Sequence, residues 1–479
     1  MTIHRTWLLV FIFTAAIVEG NAQVAACNCS ENLDTLIAKT EVNYAGFPAK
    51  VNAGTKAAYQ KLKTHLKEKA VASNTPTTCF PVLREYVKFF YDSHFQLSYY
   101  DEQDAHAEFI SLSESAVKER LRKKGGTPLD GIWINQDSSL KLAVLLYPDK
   151  QYKAVVLDSK NPKIKQGLVY MTITQGKRGL AVKYHNSLSS TDYPIKIKGN
   201  LLQGWSDELF GRIYPISMTA DELREQQTWR NGNHGLDFYK LSPKTALLKI
   251  PSFTNNDDRI AALITRNDSI IRSTENLIVD LTGNGGGSTG WISFLGYFMT
   301  NPVMQENGYV RVSPENVKLK LADIEPYVTN PIPPDYQKYF PDSILTSYKN
   351  AYAELPTTTA AFYPAPGVVF PLDSITVNPK KIALVVDNLC GSSTEYFFFL
   401  SKKSAKTVTY GSHTFGMMDY EGASPTTLPF PGFRLAIPIV KSSWTDSNPI
   451  DKTGFTPDVL LDKIAPAKWI DYIRQQLEK

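Results

Sequence analysis

The sequence of 479 residues predicts an α/β domain preceded by a small helical domain and a small antiparallel β domain. Apolar residues recur at helical spacing near the amino terminus, alternate with polar residues in the middle, and form compact runs in the carboxyl-terminal half. The hydrophobic content of 43% and the charged content of 21% are typical of folded proteins. A formal net charge of +5 is too dilute to indicate a nucleic-acid partner.

Residues 1–22 predict a secretory signal peptide. A basic start precedes the apolar run from Trp7 to Val18, and Gly20-Asn21-Ala22 provides small residues for the cut. We therefore expect an exported protein, periplasmic or extracellular, and no later apolar stretch is long enough to predict a transmembrane span. Val24-Ala25-Ala26-Cys27 also fits a lipoprotein acylation site, so an anchor at Cys27 is an alternative.

The four cysteines fit an exported protein. Cys27 or Cys29 is expected to pair with Cys79, because disulfides form in oxidising compartments. Cys390 ends an apolar strand and is expected to be a small buried side chain. No CxxC or HExxH spacing occurs, and we expect neither a metal nor a cofactor.

The helical domain is predicted over residues 23–105, where Leu33, Leu36 and Ile37 recur at helical spacing. Residues 106–240 predict an antiparallel sheet or small barrel, because short alternating segments such as 140–144 are separated by turn residues.

The α/β domain is predicted over residues 241–479. Compact apolar runs at 246–250, 277–281 and 382–386 are each followed by a helical stretch, which indicates a parallel sheet buried on both faces. The Pro- and Tyr-rich segment 300–372 is expected to form an inserted lid or loop layer.

Two junctions between strand and helix carry residues suited to chemistry, since ligand sites of α/β sheets form where strands end. At the first, residues 280–288 include four glycines whose amides can approach a ligand closely, which suits phosphate or a carbonyl oxyanion. The lysine of a P-loop and the GxGxxG order, which would favour phosphate binding, are both absent. A tight turn that binds no ligand is the other alternative for this segment.

Ser392 lies at the second junction, after the strand ending at Asp387. A hydroxyl at such a turn, beside the positive end of a helix dipole, is well placed for a nucleophile. The alternative is that Ser392 or Ser393 caps the helix while Glu395 closes a capping box. A nucleophilic serine needs a base, and spacing alone does not choose among the six histidines beyond the signal peptide, which are His65, His94, His106, His185, His234 and His413.

The order of these motifs resembles the S41 family of serine peptidases, which includes C-terminal processing proteases, the tricorn core and interphotoreceptor retinoid-binding proteins. Asp280-Leu281 and Asn284-Gly285-Gly286-Gly287 precede Gly391-Ser392-Ser393-Thr394-Glu395 by about 100 residues, and Gly454-Phe455-Thr456-Pro457-Asp458 closes the match. The resemblance covers residues 241–479 and implies a ClpP/crotonase-like spiral around the parallel sheet. Asp92-Ser93-His94 also resembles the Asp-x-His element of the tricorn-like branch.

The resemblance implies a role for each matching residue. The processing-protease branch has a lysine base where this chain has Met417, so its Ser/Lys dyad is missing. In the tricorn-like branch the base is a histidine of a Ser-His pair, here Ser93 and His94. A carboxylate assists it, and here that position is Asp451, where the branch often has Glu.

By the same resemblance, Ser392 would be the nucleophile, and the backbone N–H groups of Gly286 and Ser393 would form the oxyanion hole. The implied activity is hydrolysis of peptide bonds in peptides or unfolded proteins through an acyl-enzyme. A PDZ-like domain is not recognisable between residues 106 and 240. Two alternatives stay open, a non-catalytic binding protein on the same scaffold and His413 as the base.

Overall fold

The computed structural model describes residues 27–100, 107–176, 179–184, 187–189, 192–205 and 208–479. The predicted signal peptide, residues 1–22, lies outside the described residues. Among the described helices, none combines the length and apolar composition needed to cross a bilayer.

The helices within the described residues are concentrated near the amino terminus and on both faces of the carboxyl-terminal sheet. They are α1 (Cys29–Asn43), α2 (Phe47–Lys50), α3 (Lys56–Val71), α4 (Pro76–Lys88), α5 (Glu114–Lys124), α6 (Ala220–Thr228), α7 (Asp257–Ser273), α8 (Ile292–Phe298), α9 (Pro314–Thr329), α10 (Asp342–Glu354), α11 (Ser393–Ser401) and α12 (Trp469–Leu477).

The strands of the described residues fall into three larger sheets and one two-stranded ribbon. In chain order they are β1 (Gln96–Tyr100), β2 (Gly131–Asn135), β3 (Leu140–Leu146), β4 (Tyr152–Ser159), β5 (Val169–Gly176), β6 (Gly179–Tyr184), β7 (Ser187–Ser189), β8 (Tyr193–Pro194), β9 (Lys196–Lys198), β10 (Leu201–Gln203), β11 (Leu209–Tyr214), β12 (Asp237–Lys240), β13 (Thr245–Lys249), β14 (Asn276–Asp280), β15 (Val303–Gln305), β16 (Tyr309–Arg311), β17 (Phe362–Pro364), β18 (Val368–Phe370), β19 (Lys381–Val386), β20 (Thr407–Gly411), β21 (Tyr420–Thr427), β22 (Phe433–Lys441) and β23 (Val459–Leu460).

The amino-terminal helices are held together by a disulfide and a shared apolar core. Cys29 of α1 bonds to Cys79 of α4, so of the two partners left open by the sequence Cys29 is the one that pairs. Cys27 is a free buried thiol, and burial raises its pKa. Leu33 and Leu36 are fully buried and belong to one core with β1 and β22.

Residues 107–240 contain an antiparallel sheet of nine strands in the order β8-β6-β5-β4-β3-β2-β11-β10-β9. The pairings among the described strands follow an open path, and its ends, β8 and β9, do not pair with each other. Where the sequence left a sheet and a barrel open, the described part is therefore an open sheet.

The carboxyl-terminal sheet has the order β12-β13-β14-β19-β20-β23. β13, β14, β19, β20 and β23 are parallel, and β14 and β19 are almost completely buried because helices cover both faces. The parallel register aligns Asp280 with Val385 and Val386 with Gly411. The turns that follow β14, β19 and β20 therefore emerge at one edge of the sheet.

The segment 300–372 contains two helices, α9 and α10, and four short strands. β16 and β17 extend the sheet that contains β22, while β15 and β18 pair with each other. This segment is thus folded structure rather than a layer of loops, and its role as a lid stays a prediction. The mixed helix and sheet content agrees with the predicted fold class, and the division into domains also stays a prediction.

Candidate active site

Ser392 occupies a strained turn between β19 and α11. Its backbone has φ 53° and ψ −124°, a conformation that residues with a β-carbon rarely adopt. Such strain costs about 1–3 kcal/mol and is concentrated at functional sites. The turn projects the Ser392 hydroxyl at the amino-terminal end of α11, as expected for a nucleophile on a strand-to-helix turn.

The capping alternative for this segment is wrong. The Ser392 side chain makes no capping hydrogen bond to α11. The Ser393 hydroxyl donates to the carbonyl oxygen of Ser288 at 2.7 Å and accepts from the Trp291 indole at 3.2 Å. These contacts tie the start of α11 to the glycine turn instead of capping the helix.

Glu395 provides only half of a capping box, because it accepts from the Ser392 backbone N–H while the Ser392 side chain makes no capping bond. The buried Glu395 carboxylate also accepts hydrogen bonds from the Thr414 hydroxyl at 2.5 Å, the Gly416 N–H at 2.6 Å and the Met417 N–H at 2.9 Å. Burial raises the pKa of Glu395 to about 7 although these donors oppose the shift. Glu395 therefore fixes the loop that passes beside the Ser392 turn.

His94 lies beside Ser392, with its Nε2 atom 3.0 Å from the Ser392 Oγ atom. Its Nδ1 atom lies 2.7 Å from the backbone carbonyl oxygen of Tyr420. A carbonyl oxygen can only accept, so Nδ1 must carry the proton and donate it. The Nε2 lone pair is then directed at the serine hydroxyl, which is the arrangement a general base requires.

Strand pairing explains how a residue 298 positions upstream reaches Ser392. β1 begins two residues after His94 and pairs antiparallel with β22, which also pairs with β21. β21 starts at Tyr420, the residue that holds the imidazole. The sheet that joins the amino-terminal helices to the carboxyl-terminal region thus sets the position of the imidazole.

The resemblance places Ser93 and Asp451 in a charge network with the imidazole, and among the described residues neither side chain bonds to the ring. The position at Nδ1 is taken by the Tyr420 carbonyl oxygen, and Asp451 instead pairs with Lys50, with Nζ 2.5 Å from Oδ2. The Ser93 carbonyl oxygen accepts from the Gln96 side chain. Any influence of Asp451 on His94 is therefore electrostatic and indirect.

A cluster of three buried carboxyl groups lies behind His94. Asp92 accepts from the His94 N–H at 2.8 Å and from the Tyr44 hydroxyl at 2.8 Å. Asp419 accepts from the Ile450 and Asp451 N–H groups, both at 2.8 Å. Burial raises the pKa of all three carboxyl groups, while the charge of Lys50 lowers it.

Of this cluster, the sequence analysis named Asp451 and quoted Asp92 only as part of a motif. Lys50 and Asp419 were missed. Lys50 ends a helix of four residues, and Asp419 lies outside every quoted motif, so no local pattern indicates either.

Gly286 approaches the nucleophile turn more closely than any other residue type could. A β-carbon there would lie 2.6 Å from the Gly391 carbonyl oxygen and 2.8 Å from the Ser392 β-carbon. The Gly286 N–H, however, donates to the Asn284 side chain at 3.0 Å. It is therefore already engaged, unlike the free donor the sequence predicted for an oxyanion hole.

Two other residues with backbone amides line the cavity of Ser392, namely Gly287 and Ser393. Among the described residues, neither of their N–H groups has an acceptor. Gly287 has φ 120°. Both N–H groups are thus available to a ligand in this cavity.

Asp387 connects both turns of the site. Its Oδ1 atom accepts from the Gly283 N–H at 2.9 Å and from the Leu389 N–H at 3.1 Å, while Oδ2 lies 2.8 Å from the Lys196 ammonium. Burial opposes its ionisation, yet the charges of Lys196 and Lys198 lower the pKa of Asp387 to about 2. Asp387 is thus an ionised, buried anchor shared by the glycine turn and the serine turn.

The remaining predicted candidates lie elsewhere. The His413 Nδ1 atom contacts the Thr456 hydroxyl at 3.1 Å, and His94 rather than His413 is bonded to Ser392. Cys390 is buried, as predicted, and burial raises its pKa. Met417 is buried at the position of the processing-protease lysine.

A family model agrees with this architecture. Residues 244–461 match the model of peptidase family S41, a span that includes both turns and Asp451 but not His94. No curated protein sequence is significantly similar to the chain.

Solved structures share the fold over nearly the whole chain. Mature CPAF is 13% identical, with 94% of this chain and 96% of that chain covered and a TM-score of 0.53. A mutant of CPAF is 11% identical, with the same coverage and a TM-score of 0.55. CPAF complexed with lactacystin is 12% identical over 94% and 97% of the two chains, with a TM-score of 0.52. The family match is thus confined to residues 244–461, which are similar to peptidase family S41, while the similarity of fold extends over nearly the whole chain.

Proposed function

We propose that this protein is an exported serine peptidase of the tricorn-like branch, with Ser392 as nucleophile and His94 as general base. The contact of 3.0 Å between His94 Nε2 and Ser392 Oγ carries the proposal. The Tyr420 carbonyl oxygen supports it, because it fixes the tautomer in which Nε2 can accept a proton.

The mechanism follows from these contacts. As the Ser392 oxygen forms a bond to the substrate carbonyl carbon, its proton moves to His94 Nε2. The negative charge on the carbonyl oxygen is stabilised by the amides of Gly287 and Ser393 at the amino-terminal end of α11. The C–N bond then breaks as His94 returns the proton to the leaving amine, which leaves an acyl-enzyme. Water activated by His94 hydrolyses this ester and restores Ser392.

The imidazolium formed in this cycle needs a compensating negative charge. We assign this role to Asp92, which accepts a hydrogen bond from the His94 backbone N–H. Burial raises the pKa of Asp92, and the charge of His94 opposes this shift. Asp451 and Ser93 act at longer range, since neither bonds to the ring. Peptides or unfolded proteins are the proposed substrates, and none of these steps calls for a cofactor.

Three variants test the roles of the two residues. Ser392→Ala and His94→Ala should each lower kcat/KM on a peptide library or on unfolded casein by a factor of at least about 10³. His413→Ala is the matched control, and it should retain the parent rate because His413 bonds to Thr456. Full activity of the first two variants would overturn the proposal. A fluorophosphonate probe should label the parent at Ser392 and fail to label Ser392→Ala.

The Cys29–Cys79 disulfide supports export, since such bonds persist in oxidising compartments. Mass spectrometry of the exported protein should give an amino terminus at Gln23. An acylated amino terminus at Cys27 would instead support the lipoprotein alternative.

A further inference from the structure

The cavity at the active site is lined by polar, aromatic and acidic side chains. It has a volume of about 250 Å³ and includes both His94 and Ser392. This volume is below the range of about 300–1,000 Å³ typical of small-molecule pockets, so it suits a single side chain of a larger substrate.

Glu306 and Glu421 are the carboxylates that line this cavity, and the two differ in their partners. Glu306 forms an ion pair with Lys403 at 2.7 Å. The Glu421 carboxylate has neither a hydrogen-bond partner nor an ion pair within 4.0 Å in the described part of the chain. No Lys or Arg side chain lines the cavity, so Glu421 gives it an uncompensated acidic wall.

The nearest cation on the other side of Glu421 is already paired. Lys320 lines a neighbouring cavity together with Glu421, and its ammonium lies 3.0 Å from Asp323. Burial raises the pKa of Glu421 to about 7, although the charge of Lys320 opposes this shift. A second cation arriving from the active-site side would stabilise the ionised form of Glu421.

The rest of the lining fits the stem of a long basic side chain. Trp291, Tyr396 and Met418 present apolar surface in the same cavity. Lysine and arginine combine an apolar stem with a terminal charge, so the stem can pack on these rings while the charge reaches a carboxylate. A short acidic side chain would instead meet Glu421 as a like charge.

We propose that this cavity is a specificity pocket for a lysine or arginine residue next to the scissile bond, with Glu421 as its counter-charge. The inference rests on the proposed peptidase function and adds a substrate class to it. Glu421 is also adjacent in sequence to Tyr420, whose carbonyl oxygen holds His94. The position of the basic side chain and the position of the base are thus set by the same strand, β21.

The test uses pairs of peptides that differ in one residue, lysine against norleucine and arginine against citrulline. Cleavage by the parent should be about tenfold or more faster, in kcat/KM, for the charged member of each pair. Glu421→Gln should reduce this ratio to near one. Glu306→Gln is the matched control, and its ratio should stay at the parent value because Lys403 already neutralises Glu306. Glu421→Lys should shift the preference to glutamate.

A binding measurement separates this inference from the peptidase proposal. Ser392→Ala cannot form the acyl-enzyme, so its affinity for labelled lysine and norleucine peptides reports the pocket alone. Cleavage by the parent without a charge preference would overturn the pocket and leave the peptidase. Absence of cleavage with a preference that Glu421→Gln removes would support the pocket and overturn the peptidase. Equal binding of both peptides to Ser392→Ala would overturn the pocket in either case.

Discussion

The buried ion pair behind His94 gives the sharpest stability prediction. Lys50 and Asp451 are 18% and 4% exposed at their side chains, and the Asp451 Oδ1 atom has no hydrogen-bond partner among the described residues. Replacing Lys50 by methionine keeps an unbranched side chain that is one atom shorter and removes the cation. Removal of one partner of a buried pair costs about 3–5 kcal/mol, because the other charge stays buried without compensation.

The pH dependence of this loss follows from the carboxyl group. Burial and the charge of Asp92 raise the pKa of Asp451 well above its usual value, and Lys50 opposes this shift. Lys50→Met should therefore raise the pKa further. In the unfolded chain an aspartate ionises near pH 3.9. A pKa raised by folding favours the folded state below that value, and the benefit is lost as the pH rises toward the folded pKa.

We accordingly expect Lys50→Met to resemble the parent near pH 4 and to lose about 3–5 kcal/mol near pH 7.5. Urea unfolding followed by tryptophan fluorescence at both pH values measures this difference. Lys67→Met is the matched control, because Lys67 pairs with Asp34 at the surface, with side chains 57% and 59% exposed, and should change stability by less than about 1 kcal/mol. Lys50→Met/Asp451→Asn should recover part of the loss. An equal loss at both pH values, or no recovery, would refute this reasoning.

Three further variants probe contacts around the site. Glu395→Gln places a side-chain N–H group against backbone donors such as the Met417 N–H. The variant should therefore lower kcat while KM changes little. An unchanged kcat would argue against a positioning role for Glu395. Lys196→Met removes the ion pair to the fully buried Asp387 and should destabilise the fold by about 3–5 kcal/mol in thermal unfolding. The double variant Lys196→Met/Asp387→Asn should not show this loss. Cys79→Ser opens a loop with a sequence separation of 50 residues and should cost about 4 kcal/mol by the chain-entropy relation, checked by unfolding with and without reductant.

Much of the carboxyl-terminal half could be predicted because its signals are local. The apolar runs that became β14 and β19 are continuous, and the serine and glycine turns follow them directly. The pairing of His94 with Ser392 was transferred from the family resemblance, since spacing alone left six histidines open. The geometry brings these two residues together, and their catalytic roles stay a proposal.

The contacts that the sequence did not indicate are those made by backbone groups or by residues brought together through long-range pairing. The ring of His94 is held by a carbonyl oxygen, and every residue type has one, so the identity of Tyr420 carries no signal for this role. The Gly286 amide is engaged because the Asn284 side chain turns back on the loop, a choice of rotamer that glycine spacing cannot reveal.

Asp451 was predicted to assist the base as part of a charge network, and its carboxylate bonds to Lys50. The family pattern places a carboxylate near the base, and the carboxylate is indeed buried behind it. In this chain Lys50 pairs with that carboxylate, while Asp92 takes the position that interacts with His94 electrostatically. A variant of Asp92 should therefore affect the pH dependence of kcat/KM, whereas a variant of Asp451 should act first on stability. Asp92→Asn and Asp451→Asn, compared in pH–rate profiles and in urea unfolding, separate the two. The reverse assignment of effects would show that the carboxylate of Asp451 reaches the imidazole after substrate binds.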